Sequence, residues 1–130
     1  MSLDYKDKRT QKNSQLSSFR LAFFGIFTAV KHERNMRNHL GIGILVFLFG
    51  FLFDLSKLEW VCIVFCIGIV ISMELLNTAI ERVVDLVTKE FHPLAKEAKD
   101  IAAGAVLVSA LLSIVVGLII FIPKIMDIIR

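Results

Sequence analysis

Charge is absent from three long stretches of this 130-residue sequence, Leu40–Phe53, Trp60–Met73 and Ile101–Pro123. Apolar residues make up 56% of the chain, and its mean hydropathy is +0.73, which is more than an ordinary soluble domain shows. A membrane span needs about 20 mostly apolar residues. Only the third stretch is that long, so the other two must extend into their polar flanks. These absences exclude a soluble domain and predict one integral membrane domain with three spans.

Cysteine is scarce, and the two that occur, Cys62 and Cys66, have no histidine or carboxylate at ligand spacing. We expect two small buried hydrophobic residues at these positions, and neither a metal site nor a disulfide. The polar N-terminus lacks the apolar core of a secretory signal, so no cleavable signal is expected. Residues 1–15 have the composition of a disordered tail. The sequence also contains no Walker loop and no protein-kinase signature.

Positive charge is concentrated before the first span. Residues 1–39 contain eight Lys and Arg against three Asp and Glu. Because positively charged flanks tend to stay inside, we predict a cytoplasmic N-terminus. Three spans then place residues 54–59 outside and the connection 82–99 inside. The expected location is a cell membrane, with the polar end of the second span facing the cytoplasm.

An additional helix is predicted before the first span, over about residues 17–34. Ser17 and Ser18 are suitable caps, and an apolar stripe follows them at helical spacing. Such a helix lies on the cytoplasmic leaflet, although the same residues would also suit the start of a long first span. The predicted fold is all-α, with this surface helix and spans at about 36–54, 58–88 and 98–122. The stripe consists of Phe19, Phe23, Ile26, Phe27 and Val30.

The second span ends in a row of polar side chains, Glu74, Asn77, Glu81 and Asp85. At about 100° per residue, these four lie on one helix face. Glu74 follows the uncharged run directly, so it falls at a depth where an ionisable residue is costly and indicates function. Glu81 is about 10 Å nearer the water. One face therefore carries a deep carboxylate and shallower ones.

This arrangement suits phosphoryl transfer from MgATP to a lipid alcohol, since ATP arrives from water and the alcohol arrives from the bilayer. The reaction needs oxygen ligands for a divalent metal, a cation on the phosphates and an acceptor for the hydroxyl proton. The candidates are Glu33 and Glu81 for the metal, Lys99 for a phosphate, Asp85 and Asp100 for the nucleotide or for ordering Lys99, and Glu74 for the hydroxyl.

Structural roles remain open for the same residues. Glu74 and Asn77 also suit hydrogen bonding between helices, and Glu81, Arg82 and Asp85 also suit a solvated helix end. Lys99 and Asp100 taken alone are typical of a helix start. The three histidines, His32, His39 and His92, are expected at the membrane interface, with His92 nearest the candidate nucleotide residues.

Three segments, GIFTAVKHERNMRNH, ELLNTAIERVVDLV and EFHPLAKEAKDIAAGAVLVSA, together resemble the small bacterial membrane kinases of the prokaryotic diacylglycerol kinase and undecaprenol kinase family. The resemblance covers about residues 17–122. The family signature Glu-x-x-Asn-[Ser/Thr]-Ala-Ile-Glu-x-x-x-Asp is intact from Glu74 to Asp85. Its Ala-Lys-Asp element is intact at Ala98, Lys99 and Asp100.

The resemblance implies a homotrimer of three-span subunits with shared active sites, using Mg²⁺ and ATP. It assigns the catalytic base to Glu74, which also meets the lipid substrate, and a catalytic role to Asn77. The implied metal ligands are Glu33 and Glu81. The implied nucleotide-binding residues are Glu33, Glu81, Asp85, Glu90, His92, Lys99 and Asp100.

The SSF opening, the ERNMRNH corner and the IPKIMD tail look more like the Gram-positive branch, which resembles undecaprenol kinase in function. Ala103 also stands where the Gram-negative diacylglycerol kinases have Ser. We therefore predict undecaprenol as the acceptor, with diacylglycerol as the alternative, and we expect no nucleic-acid partner. Two non-enzyme hypotheses remain, a proton-coupled multidrug transporter subunit and a structural assembly protein. The first explains Glu74 but leaves the other polar residues without a role, whereas in the second the polar residues merely fix the register of the helices.

Overall fold

The computed structural model describes residues 15–130, which form four helices joined by short connections. These helices are α1 (Gln15–His32), α2 (Arg34–Leu52), α3 (Lys57–Val87) and α4 (Pro93–Ile129). The last three are each long and apolar enough to cross a bilayer. The prediction of an all-α membrane protein with three spans is therefore confirmed. The predicted tail lies outside the described residues, apart from Gln15, which begins α1.

A single residue, Glu33, separates α1 from α2. Its backbone is extended, with φ −100° and ψ 120°, and this ends the helical path of α1. The guanidinium of Arg37 donates from Nη1 to the carbonyl oxygens of Val30 and Lys31, at 3.2 and 3.1 Å. These bonds satisfy acceptors that a helix end would otherwise leave unpaired. The corner makes α1 a separate helix and not the beginning of a long first span.

The turn between α2 and α3 is compact. Asp54 has φ 48°, a left-handed conformation that Asp tolerates better than most residues. Ser56 then caps α3: its backbone N–H donates to Glu59 Oε2 at 2.7 Å, and its hydroxyl accepts from the Glu59 N–H at 3.4 Å, a reciprocal capping box. A Cβ on Gly50 would lie 2.5 Å from the ring of Trp60. Glycine at this position therefore lets α2 and α3 approach closely.

The fourth helix extends beyond the predicted third span, about residues 98–122, at both ends. Pro93 occupies its first turn, where a missing N–H costs nothing, and the Nδ1 of His92 accepts from the Leu94 N–H at 3.2 Å. These polar residues begin the helix, although the sequence suggested a connection there. At its other end α4 continues through Pro123 to Ile129. Which part of α4 lies in the bilayer stays a prediction.

The helix α3 is the centre of the packing. Both α2 and α4 pack along it, whereas no Cα atom of α2 lies within 8 Å of one in α4 over the described part of the chain. Near the α2–α3 turn, Leu55, Ile63 and Ile120 form a small buried cluster. Most large apolar side chains outside it are exposed. Such a surface suits contact with lipid or with other subunits.

Candidate functional site

The four polar residues of α3 change from buried to exposed along one helix face. Glu74 is 2% exposed and Asn77 is 6% exposed. Glu81 is half-buried, and Asp85 is exposed. Eleven residues of helix separate the first carboxylate from the last, which is about 16 Å. The face therefore offers an enclosed carboxylate at one end and a solvated carboxylate at the other.

Asn77 links the middle of this face. Its Nδ2 donates to the Oε1 of Glu81 at 3.0 Å, and this holds the Glu81 carboxylate along the helix. Its Oδ1 is buried and has no hydrogen-bond partner. A buried acceptor without a partner is uncommon and needs an explanation. The Asn77 Oδ1 is a hard oxygen ligand, and it lies beside the carboxylate of Glu81.

Glu33 reaches the same region from the α1–α2 corner. It occupies the N-cap position of α2, yet its side chain makes no capping hydrogen bond. Its Oε1 lies 3.7 Å from Nη2 of Arg82, so the side chain is directed to α3. The ionisable groups that interact electrostatically with Glu74 are His39, Glu81 and Glu33. Of the two predicted metal ligands, Glu33 thus comes from the α1–α2 corner, and Glu81 lies on α3 together with Glu74.

The predicted nucleotide residues surround a separate cleft of about 450 Å³ between the end of α3 and the start of α4. Lys99 Nζ donates to Asp85 Oδ1 at 2.5 Å, across the two helices. Glu90 and His92 line the cleft from the connecting loop. The loop is held by Thr88, whose hydroxyl accepts from the Glu90 N–H at 3.2 Å. The cleft thus collects Asp85, Glu90, His92, Lys99 and Asp100.

Two charged cleft residues, Lys96 and Lys89, were missed by the sequence analysis. Lys96 Nζ lies 2.5 Å from Asp100 Oδ2, so Asp100 is paired with Lys96 and not with Lys99. The spacing of four residues on a helix is the signal that could have indicated this pair. Lys89 also lines the cleft. Three ammonium groups therefore surround a space that was predicted to hold phosphates.

The carboxylates of Glu33, Glu74 and Glu81 do not line this cleft. Glu81 precedes Asp85 by one helical turn, about 6 Å along α3, so the two groups of residues adjoin. In the described residues, no three His, Cys, Asp or Glu side chains gather closely enough to hold a metal by themselves. Mg²⁺ usually binds through one or two carboxylates plus substrate phosphates. Glu33, Glu81 and the unpaired Asn77 oxygen are donors of that kind, so they fit a nucleotide-borne Mg²⁺.

Comparison with known proteins identifies relatives over nearly the whole chain. The Bacillus subtilis undecaprenol kinase is 49% identical over 122 residues, which is 94% of this chain and 99% of that protein. A Synechocystis diacylglycerol kinase is 40% identical over 113 residues, 86% of this chain and 65% of that protein. A Haemophilus influenzae diacylglycerol kinase is 29% identical over 115 residues, 88% of this chain and 98% of that protein.

The model of one protein family, described as prokaryotic diacylglycerol kinase, matches residues 20–121. That range includes the α1–α2 corner, the polar face of α3 and the whole cleft between α3 and α4. The family predicted from the sequence segments is thereby confirmed, together with the branch that includes the Bacillus subtilis protein. On this match and these identities, the chain belongs to the prokaryotic diacylglycerol kinase family.

Proposed function

We propose that this protein is a lipid kinase that transfers the γ-phosphoryl group of MgATP to the hydroxyl of undecaprenol. The observation that carries the choice of acceptor is the 49% identity to the Bacillus subtilis undecaprenol kinase over nearly the full length of both chains. Diacylglycerol is the second candidate, because other relatives are named diacylglycerol kinases and both lipids present a primary hydroxyl. The transporter hypothesis is not supported, since the matching family is a kinase family.

The polar residues are divided between an exposed cleft and a buried part of α3, and this division supports the proposed reaction. Charged phosphates would occupy the exposed cleft, where three lysines can contact them. The lipid hydroxyl would approach Glu74, which is enclosed within the helices. Glu81 lies between the two positions on the same helix face. A nucleotide bound in the cleft would therefore extend its γ-phosphate along α3 towards Glu81, where it meets the hydroxyl of the alcohol.

In the proposed reaction, the lipid hydroxyl oxygen forms a bond to the γ-phosphorus. The bond from that phosphorus to the bridging oxygen of the β-phosphate breaks, and ADP leaves. Glu74 accepts the hydroxyl proton as the general base, a role worth about 10²–10⁴-fold in rate. Asn77 keeps Glu81 oriented through its 3.0 Å hydrogen bond. Little covalent chemistry is asked of the protein, because phosphoryl transfer depends mostly on positioning and charge.

Glu33 and Glu81 are the residues that would hold Mg²⁺, with the free Asn77 oxygen available beside them. When bound, the ion supplies positive charge that neutralises the phosphate oxygens. Lys99 contacts a phosphate, and Asp85 orders Lys99 through their 2.5 Å hydrogen bond. Asp100 orders Lys96, which lines the same cleft, through the contact between them. Glu90 and His92 bind the remainder of the nucleotide from the loop.

We also propose a homotrimer whose active sites are shared between subunits, with the N-terminus and the nucleotide cleft in the cytoplasm. The single chain leaves Glu81 half-buried and Asp85 exposed, and most large apolar side chains of the three spans are also exposed. The positive charge before the first span supports the orientation. ATP is available on that side of a bacterial cell membrane.

The experiment that tests the function is transfer of radiolabelled phosphate from MgATP by the purified protein in mixed micelles. Undecaprenol and diacylglycerol are offered separately at equal mole fraction. We expect clear preference for undecaprenol. Preference for diacylglycerol would reassign the acceptor. Transfer to neither lipid, by a preparation that is folded, would overturn the kinase proposal.

A further inference from the structure

Arg82 is a charged residue of α3 that the proposed reaction does not use. Its Nη2 lies 3.7 Å from the Oε1 of Glu33, so its side chain reaches from α3 to the α1–α2 corner. The contact is an ion pair, and 49% of the Arg82 side chain is exposed. Within residues 15–130, no hydrogen bond and no second ion pair involves Arg82. A loose, solvated pair of this kind adds little stability, so its contribution to the fold is small.

The position of Arg82 is at one side of the polar face of α3. It follows Glu81 directly in the sequence, and at 100° per residue it is turned about 80° from Glu74 around the helix. The carboxylate that it contacts, Glu33, is one of the groups that interact electrostatically with Glu74. The guanidinium therefore lies at the edge of the region that joins Glu33, Glu74 and Glu81.

The proposed transfer needs positive charge in this region. During transfer the γ-phosphoryl group carries negative charge on three oxygens, and catalysis depends on balancing that charge. The three lysines of the cleft between α3 and α4 stand at the more exposed end of the polar face. The side chains around Glu74 include two further carboxylates, those of Glu33 and Glu81. Arg82 contacts one of these carboxylates, and its guanidinium stays protonated under all ordinary conditions.

Arg82 also has room to change its partner. Its side chain lines a cavity of about 310 Å³ between α1 and α3. Three small residues of α1, Ala22, Gly25 and Ala29, line the other side of this cavity. A Cβ on Gly25 would meet no atom within 4 Å, so the space beside that residue is open. The guanidinium can therefore leave Glu33 without displacing a packed helix.

We propose that Arg82 is a catalytic residue whose guanidinium contacts a non-bridging oxygen of the γ-phosphate during transfer. The inference rests on the proposed function and adds a residue to it. Before ATP binds, the guanidinium rests on Glu33, and it moves to the phosphate when the γ-phosphate reaches Glu81. A guanidinium presents its N–H donors in a planar fork that matches phosphate oxygens. Arg82 gives up no proton, because the hydroxyl proton goes to Glu74. The bonds that form and break remain those of the γ-phosphorus to the alcohol oxygen and to the bridging oxygen of ADP.

The test compares nucleotides that differ in the γ-phosphate. The purified protein in mixed micelles is titrated with MgADP and with the magnesium complex of β,γ-imido-ATP, an analogue that is not cleaved. We expect Arg82→Ala to bind the analogue about tenfold more weakly, because one charge-assisted hydrogen bond is lost. Its affinity for MgADP should equal that of the wild type, since ADP lacks the phosphate that Arg82 contacts.

The rate of transfer gives a second readout. Single-turnover transfer at saturating MgATP, to whichever of the two lipids the wild type accepts, should fall about a hundredfold in Arg82→Ala. That is less than the roughly 10³–10⁵-fold effect of an arginine finger, because half of the Arg82 side chain is exposed. Arg82→Lys keeps the charge without the fork and should recover part of the rate. Arg34→Ala is the matched control, since Arg34 is an exposed arginine at the start of α2, and it should match the wild type in every measurement.

Two results with Arg82→Ala would overturn the inference. An equal loss of affinity for MgADP and for the analogue would mean that Arg82 only positions Glu33, because Glu33 is proposed to hold the ion that accompanies both nucleotides. Wild-type affinity for both nucleotides would mean that Arg82 makes no contact with the γ-phosphate. In that case a wild type that still phosphorylates a lipid leaves the proposed function standing. A wild type that binds neither nucleotide and phosphorylates neither lipid overturns the proposed function and this inference together.

Discussion

Lys99 and Asp85 join α4 to α3 through a hydrogen bond of 2.5 Å between Nζ and Oδ1, across fourteen positions of sequence. One turn earlier on α4, Lys96 makes a 2.5 Å contact with Asp100. Both lysines line the cleft proposed to bind the nucleotide, and each has an anionic partner of its own. Exposed ion pairs of this kind are worth only about 0–1 kcal/mol, and a phosphate offers a lysine more negative charge than a carboxylate does. Phosphates entering the cleft can therefore displace the two carboxylates.

Replacing Lys99 by Ala should weaken the binding of MgATP about tenfold to a hundredfold, because a charge-assisted phosphate contact is lost. The measurement is nucleotide affinity by isothermal titration in detergent. Lys57→Ala is the control, since Lys57 is exposed at the opposite end of α3. Equal affinities in the wild type and Lys99→Ala would show that this lysine does not contact a phosphate.

Glu74→Gln should reduce turnover by about 10²–10⁴-fold, because the amide cannot accept the hydroxyl proton. The affinity for MgATP should stay close to that of the wild type, since Glu74 does not line the nucleotide cleft. Single-turnover phosphate transfer and nucleotide titration measure the two quantities. Glu81→Gln is the comparison, and it should lose nucleotide affinity. The assignment of a base and a metal ligand fails if both variants lose MgATP affinity equally.

Gly50→Ala should destabilise the protein by about 1–3 kcal/mol, because its Cβ would lie 2.5 Å from the Trp60 ring and force the two helices apart. Gly41→Ala is the matched control on the same helix, where a Cβ meets nothing within 4 Å. Reversible unfolding in mixed micelles gives the free energy of unfolding of each variant. A stability of Gly50→Ala equal to that of Gly41→Ala would mean that Trp60 moves away at no cost.

The orientation can be measured in intact cells. In a variant with Cys62 and Cys66 replaced by Ala, Ser56→Cys places a thiol in the turn predicted to lie outside, and Lys89→Cys places one in the loop predicted to lie inside. We expect a membrane-impermeant maleimide to label position 56 only. Labelling of position 89 alone would invert the orientation and place the nucleotide cleft outside the cell.

The sequence allowed the polar face of α3 to be predicted because helical periodicity is a local property. Glu74, Asn77 and Glu81 fall on one face in any regular helix, whatever packs against it. The partner of Lys99 could not be predicted in the same way. Lys96 and Asp100 are four residues apart on one helix, which is a local spacing, whereas Lys99 reaches Asp85 only because α4 packs beside α3.

The start of α4 at Pro93 was also not predicted from the sequence, for a different reason. The residues around Pro93 are polar and were interpreted as a connection, although proline is favoured in the first turn of a helix. The His92 side chain supplies the cap that makes this start possible. The salt bridge between Arg82 and Glu33, at 3.7 Å, was not predicted either. It depends on the corner at Glu33, which brings the end of α1 beside α3.

The sequence by itself determined the three apolar spans, the row of carboxylates at the end of the second span and membership of the kinase family. The first two follow from composition and from spacing along one helix, and the third follows from the resemblance of three sequence segments to the family. The tertiary structure decided which charges pair across helices and where space is left between them. The cavity of about 500 Å³ bounded by α2, α3 and α4 is the clearest example of such a space. It arises because α2 and α4 both pack against α3 without touching each other, and not from any one segment. A cavity between helices is a property of their mutual packing, which no local pattern encodes.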